Sequence, residues 1–416
     1  MLRQLPLSDW RHSMSTSLLY HAFGIRGYSY TRTAFVGGTI HFAIDQGKQP
    51  LCCSACGSSA VHPRGRTERM FRTLPIGRKA VVIHFEVPRI HCESCGLIRQ
   101  VKIGFADERR SYTKAFERYA LELSRLMTIQ DVAKHLNVGW DLIKDIVKRD
   151  LSRRFAKPQL KHLTQIAIDE ISVGKGHKYL TLVLDLISGA VVFVGKGKGA
   201  DALRPFWKRL WGSGAKIKAV AMDISPAYQE AVSKHLPKAK IVFDHFHVVK
   251  LFNEKLSDLR RHLFHQAEDK EKKVLKGIRW LLLKNPENLD TAQNEKRRLV
   301  AALRLNKPLA VAYYMKEDLR QLWSQANKPQ AKRFLKDWIA RAEASGIKML
   351  KSFAKTLRDH REGILAYYNF RISTGPLEGT NNKIKTMKRE AYGYRDEEFF
   401  TLKIFAAHEL KYALVG

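Results

Sequence analysis

Nowhere does the chain approach the roughly 18 consecutive apolar residues that a bilayer-spanning helix needs. Its first residues also lack an apolar core followed by a small-residue cleavage site. These absences predict a protein of the reducing cytoplasm with no membrane partner. Cysteine is scarce and odd in number, five in 416 residues, which argues against a disulfide framework and leaves the thiols as metal ligands. Internal repeats and low-complexity tracts are missing too, so a repeat architecture is excluded. Acidic residues are few, 40 Asp and Glu against 74 Lys and Arg, for a formal net charge of +34.

Hydrophobic residues make up 45% and charged residues 27%, ordinary values for a globular chain. A length of 416 residues exceeds the roughly 250–300 at which single cores stop growing, so two or more domains are expected. The positive excess runs through the whole chain: +13 over residues 1–160, +7 over 161–250 and +14 over 251–416. Charge spread this way suits an extended polyanion that crosses several domains, its phosphates met by Lys and Arg. Nucleic acid is therefore the expected partner and the nucleoid the expected location.

Patterning divides the chain further. Residues 1–45 have no firm periodicity and read as a lead-in. Residues 46–105 hold all five cysteines, turn signals at Gly57, Pro63-Arg-Gly65, Pro75-Ile-Gly77 and Cys95-Gly96, and an alternating run from Lys79 to Val87, the marks of a small β-rich ribbon. Helical spacing then predicts three helices between Tyr112 and Arg149, within a domain spanning 110–152, and residues 153–158 read as a linker. Strands over 165–171, 179–187, 191–194, 217–222 and 240–243, with helices over 201–211 and 226–235, give β-β-β-α-β-α-β across 162–250, an antiparallel meander extended by crossover units. Residues 251–370 are charged and helical, and a final helix follows Ser373-Thr-Gly-Pro376 within 371–416.

Cys53-Ser-Ala-Cys56 and Cys92-Glu-Ser-Cys95 are two knuckles that together make a closed four-thiolate set, suited to structural Zn²⁺. Cys52 is left over; His62, His84 and His91 are possible substitute ligands. Residues 129–149 read as helix, turn at Asn137-Val-Gly139, helix, with Lys144, Lys148 and Arg149 placed to meet DNA. In a sheet of order 3-2-1-4-5, Asp169 and Asp223 end neighbouring strands, and hard carboxylate oxygens there suit Mg²⁺. Asp185 and Asp244 are rival acids, and His247 is a candidate helper. On the last helix Glu378, Asn382, Lys385 and Arg389 form one polar stripe. There Glu378 either borders the sheet or merely offsets the helix dipole.

Taken in order, the knuckles, the helix-turn-helix and the acidic positions resemble the DDE transposases of the ISL-three insertion-sequence family. Specific stretches are Ile168-Asp-Glu170, Met222-Asp-Ile-Ser-Pro-Ala-Tyr228, Phe243-Asp-His-Phe-His-Val-Val-Lys250, Arg279-Trp-Leu-Leu-Leu-Lys-Asn-Pro-Glu287, Glu378-Gly-Thr-Asn-Asn-Lys-Ile-Lys385 and Ala391-Tyr-Gly-Tyr394. Two departures stand out: His245 occupies a position where the family commonly has Arg, and Cys53 is not followed by Pro.

The resemblance implies an α/β multidomain chain: zinc ribbon, helix-turn-helix, and an RNase H-like catalytic core interrupted by an all-helical insertion. It further implies that Asp169, Asp223 and Glu378 form an acidic triad holding two Mg²⁺ ions, with Mn²⁺ able to substitute, for cleavage and strand transfer. Terminal inverted repeats and target DNA would be the partners, bound by a homodimer or higher synaptic assembly. Lys385 and Arg389 would add DNA contacts, His247 and Asp244 would be accessory to the site, and Trp280 would either stack on an unpaired base or lie in the core, the latter favoured. The competing readings are a non-catalytic DNA-binding regulator and a structure-selective nuclease of the same fold.

Overall fold

In the computed structural model, residues 17–47, 50–174 and 176–409 are described. The chain divides into two compact units, residues 1–154 and 155–416.

The first unit opens with α1 (Leu18–Phe23), then β1 (Ser29–Val36), β2 (Thr39–Asp45), β3 (Val61–Ile76), β4 (Lys79–Cys92) and β5 (Ile98–Gln100). The sheet order is β1-β2-β4-β3, with β5 on β4. Residues 29–45, part of the lead-in by sequence, thus supply two strands of the ribbon's sheet. β2 alternates buried and half-buried residues, too short a signal to stand out beside β1, which is almost wholly exposed. The Pro63-Arg-Gly65 turn signal falls inside β3, where the register shifts between Pro63 and Arg66 and Gly65 has φ 86°. A proline without N–H and a left-handed glycine are tolerated there as an irregularity in the ladder. Phe71, Val81, Ile83 and Phe85 are fully buried on one face, each worth about 1.5–3 kcal/mol relative to exposure.

Three helices follow as expected: α2 (Lys114–Leu123), α3 (Ile129–Leu136) and α4 (Trp140–Phe155). Thr128 caps α3 by accepting from the Asp131 N–H, and Asn137 ends it in the left-handed region at φ 50°. Val132, Ala133, Leu136, Ile143, Ile146 and Val147 are buried, while Leu142 is half-buried. α4 runs on into the segment that composition marked as a linker.

The second unit carries β6 (Gln165–Gly174), β7 (Lys178–Asp185), β8 (Val191–Lys196), α5 (Arg204–Ser213), β9 (Ala219–Met222), α6 (Pro226–His235) and β10 (Lys240–Phe243). The strand order is β10-β9-β6-β7-β8, with β9 and β10 parallel to β6 and the meander antiparallel. This is the RNase H-like order. Seven helices are then inserted: α7 (His245–Gln266), α8 (Asp269–Gly277), α9 (Glu295–Leu305), α10 (Lys307–Arg320), α11 (Lys328–Ala344), α12 (Lys348–Asp359) and α13 (Arg361–Leu365). The last expected helix is two, α14 (Gly375–Glu390) and α15 (Glu397–Phe405), separated where Tyr392 and Gly393 take φ of 51° and 102°.

Strand alternation sorts the packing. Ile166, Ile168, Val183, Val220 and Met222 share a core with Phe206, Trp207, Val232 and Phe252 of α5, α6 and α7. Ala167, Ile171, Leu182, Leu184 and Ala221 share the other core with Leu377, Ile384, Phe400 and Ile404 of α14 and α15. Asp169 alternates with Ile168, so its side chain falls on the α14 side. Within the insertion, Trp338 is fully buried and donates from Nε1 to the Met315 carbonyl at 2.9 Å.

Candidate active site and metal centre

The sheet register makes a row of acids. Ile168 stands beside Met222, and Met222 beside Phe243, so the next residues, Asp169, Asp223 and Asp244, cross three adjacent strands. Asp169 does not end its strand as expected: β6 continues to Gly174 against β7, while β9 has already stopped at Met222. Asp169 Oδ1 accepts from the Glu170 N–H at 2.7 Å, and Oδ2 accepts from the Asn381 side-chain amide at 2.8 Å. Burial, then the nearby Asp223 carboxylate, pushes the Asp169 carboxyl up to about 6.

His247, in the first turn of α7, reaches both other acids. Its Nδ1 lies 2.7 Å from Asp223 Oδ1 and 3.0 Å from Asp244 Oδ2. One ring N–H cannot point at both, so the hydrogen bond goes to Asp244 and Asp223 Oδ1 is buried with an ionic contact only. Burial pulls the imidazole pKa down, but the close contacts and charges of Asp223 and Asp244 outweigh it and raise it to about 10, so the ring is cationic at neutral pH. Burial would raise the Asp244 carboxyl, yet His245, His247 and Thr374 hold it far below the usual carboxylate range. Thr374, fully buried at the start of α14, donates to Asp244 Oδ2 at 2.8 Å. Asp244 therefore joins the end of β10 to the starts of α7 and α14. His245 Nδ1 is 3.4 Å from Asp244 Oδ1.

Glu378 is exposed in the first turn of α14, one turn before Asn381. Lys385 and Arg389 are exposed farther along the helix. Asn381 is buried, and sequence reasoning passed over it and Thr374; their signal was only a helix register three positions from Glu378 and a capping residue. Asp185 is no part of the site: it closes the turn after β7, accepting from the N–H groups of Ile187 and Ser188. Trp280 is not core either. It is 64% exposed with the Arg279 guanidinium 4.6 Å from its ring centre, because Leu281 and Leu282 fill the interior of that segment instead.

In the first unit, the sulfur atoms of Cys53, Cys56, Cys92 and Cys95 lie within 4.8 Å of one another. The Cys53–Cys95 and Cys56–Cys92 separations are 3.7 and 3.5 Å. A tetrahedron with Zn–S bonds of about 2.3 Å has edges of about 3.8 Å, so the thiols fit zinc. N–H groups of Cys56 and Ala55 draw the Cys53 thiol down to about 6. Cys52 is exposed and outside the set. His62 pairs with Glu93 at 2.5 Å, and His84 contacts Glu68 and His41. Among the described residues the four thiols are the one group of three or more His, Cys, Asp or Glu at such spacing; Asp169, Asp223 and Glu378 do not close to it.

On α4, Arg149 is tied to Glu117 at 2.7 Å and lies against the Tyr112 ring, which turns its guanidinium into the domain. Lys144 sits over Trp140, 5.4 Å from the ring centre.

Residues 166–404 match a family described as transposase, residues 101–151 the helix-turn-helix domain of transposase family ISL3, and residues 49–95 the zinc-finger of transposase IS204/IS1001/IS1096/IS1165. The chain belongs to the ISL3 transposase family. It is 34% identical over 391 residues, 92% of this chain and 96% of the relative, to the transposase for insertion sequence element IS1001 of Bordetella parapertussis. It is 29% identical over 374 residues, 83% of each chain, to the transposase for insertion sequence element IS1557 of Mycobacterium tuberculosis. A solved chain of the Drosophila P element transposase strand transfer complex matches at 12% identity and a TM-score of 0.32, covering 64% of this chain and 81% of that one. As an ISL3 transposase the protein is a DNA-transposing enzyme with a zinc ribbon and a DNA-binding helix-turn-helix. Among the described residues no helix is long and apolar enough to cross a membrane.

Proposed function

We propose that Asp169, Asp223 and Glu378 are the acidic triad of this ISL3 transposase and hold the divalent cations of DNA cleavage and strand transfer. The observation that carries this reading is the Asp169–Asp223 pair. Burial, and then the neighbouring Asp223 charge, pushes the Asp169 carboxyl up to about 6, and the buried Oδ1 of Asp223 faces His247 Nδ1 at 2.7 Å. A cation relieves the cost of holding the two carboxylates together. Hard oxygen donors favour Mg²⁺, with Mn²⁺ as substitute. What the cations supply when bound is stabilisation of charge on the attacking and leaving oxygens of the transferred phosphate.

The chain's own groups fix the acids. Asn381 and the Glu170 N–H orient Asp169, and His247, itself set by Asp244, faces Asp223. Glu378 stands one turn from Asn381, on the helix that Asn381 anchors to Asp169. The nucleophile is water in the first step and a DNA 3′-hydroxyl in the second.

The proposed division is a zinc ribbon over 46–105, joined by strands from the 1–45 lead-in, a helix-turn-helix domain over 110–152, a core over 162–250 and 371–416, and a helical insertion over 251–370. Ribbon and helix-turn-helix would recognise the terminal inverted repeats, Lys144 and Lys148 meeting phosphates, with Lys385 and Arg389 lying along the strand at the acidic row. Two ends must be joined, so the working form is a dimer or larger synaptic assembly at the nucleoid. The test is linear DNA bearing the element's ends, incubated with protein and Mg²⁺ or Mn²⁺. Asp223→Asn is expected to bind ends but not cleave them. Retained cleavage overturns the triad, and end binding by the unaltered protein without cleavage in either metal favours a regulator.

A further inference from the structure

At the opposite ends of β9 and β10 from the acidic row lies a groove of about 1080 Å³. Its lining includes Lys216, Lys218, Lys238, Lys240 and Lys328, and no Asp or Glu. The two strands enter the sheet through matching segments, Lys216-Ile-Lys218 and Lys238-Ala-Lys240. Period-two alternation explains the pattern: Ile217 is buried and Ala239 packs on the core, while the four lysines are exposed. The strands are neighbours, the Lys240 N–H donating to the Lys218 carbonyl at 2.9 Å. Four ammonium groups are thereby concentrated on two adjacent strand starts.

Some basic side chains of this unit pair with acids, as Arg341 does with Asp318, Arg320 with Glu287 and Lys196 with Glu397. The four groove lysines form no ion pair with any described residue. The first turn of α11, which carries no acid, also borders the groove through Lys328, which donates to Asn369 Oδ1 at 2.7 Å. Beside the groove, His235 stacks on Trp207 and leans on Trp211, which is 62% exposed. Like charges gathered without counter-charges cost free energy unless an anionic partner neutralises them.

We propose that this groove is a second DNA-binding site, which takes the phosphate backbone of a duplex other than the one at the acidic row. From Lys218 to Asp223 is five residues of strand, about 16 Å at 3.3 Å per residue, so the two sites lie at opposite ends of the sheet. Ammonium groups on flexible stems meet phosphates as point charges without reading bases, so binding here is independent of sequence. The proposal rests on the transposase reading only in naming DNA as the polyanion, and a failed Asp223→Asn test leaves it standing.

The experiment uses full-length protein and a 40-base-pair duplex of unrelated sequence. Affinity is measured against salt for the wild type, for Lys216→Gln/Lys218→Gln/Lys238→Gln/Lys240→Gln, for the same four positions changed to Arg, and for Lys332→Gln/Lys336→Gln/Lys351→Gln/Lys355→Gln. The last set removes equal charge from exposed positions on α11 and α12. The groove Gln set is expected to flatten the slope of log K against log salt by about 3 to 4, near 0.9 for each phosphate no longer neutralised. The Arg set should keep the wild-type slope, and the α11–α12 set should change it by less than about 1. In unaltered protein the duplex should slow acetylation of the four groove lysines, a measurement that stands even where a variant fails to fold. Equal slopes for wild type and groove Gln set, equal loss in both Gln sets, or unprotected groove lysines at saturating duplex would each overturn the proposal. So would protection by inorganic polyphosphate but not by the duplex.

Discussion

Asn381 and Asp169, 212 positions apart in sequence, are joined by a 2.8 Å hydrogen bond from the Asn381 amide to Asp169 Oδ2. Through it α14 is tied to β6 one turn after exposed Glu378. A hydrogen bond to a charged group is worth about 1.5–3 kcal/mol, and each 1.4 kcal/mol is a factor of about ten in rate. Asn381→Ala is therefore expected to slow single-turnover end cleavage by roughly 10- to 100-fold. A cleavage rate within about twofold of wild type would show that α14 is positioned without this bond.

The zinc ribbon yields a prediction independent of catalysis. Cys53 and Cys92 are buried in the apolar core of the first unit, whereas Cys56 and Cys95 are exposed, so the metal links that core to its surface. Elemental analysis should find one Zn²⁺ per chain, lost in Cys92→Ser. Because metal-binding free energy is also folding free energy, a strong chelator should lower the melting temperature of the first unit and leave the second unit's transition in place. Zinc retained in Cys92→Ser would mean that another group, with His62 the first to examine, takes up the vacant position.

Much of this architecture was legible because its signals are local. Cysteine spacing, strand alternation and the Asn137 turn need only a few neighbouring residues, and they located the ribbon, the helix-turn-helix and the sheet order. What was missed depends on tertiary neighbours. Nothing in the chain near Asn381 or Thr374 says that each will meet an aspartate more than a hundred residues away. Arg149 looked like a DNA contact on its own helix, and only the packing of α2 brings Glu117 to it. Trp280 looked like core because tryptophan is apolar, yet Leu281 and Leu282 take the buried positions beside it.

That exposure of Trp280 is itself testable. Buried Lys316 donates to the carbonyls of Leu282 and Lys284 and so holds the segment in place, leaving the indole presented to solvent with Arg279 against it. Stacking of an unpaired base on an aromatic ring is worth about 1–3 kcal/mol. DNA ends with a few unpaired nucleotides should quench tryptophan emission, and Trp280→Phe should remove most of that change. Quenching of equal size in Trp280→Phe would assign the signal to another of the tryptophans, with exposed Trp211 the next to test.

Gly363 offers a way to disturb the acidic row without touching an acid. A Cβ at this position of α13 would lie 2.5 Å from two ring carbons of Phe243. Phe243 is the last residue of β10 and is followed directly by Asp244, the residue that His247 and Thr374 both hold. The ring has little room to withdraw, since it is buried and packed edge-on against His360. Overpacking of this kind costs about 1–3 kcal/mol, and relief must come from a shift of α13 or of the β10 end. Gly363→Ala is therefore expected to lower the melting temperature of the second unit and to slow end cleavage. Gly363→Ser should do the same, its added group meeting the same ring. If Gly363→Ala melted lower yet cleaved at the wild-type rate, the strain would be taken up by α13, and the end of β10 would be shown to tolerate it without moving Asp244.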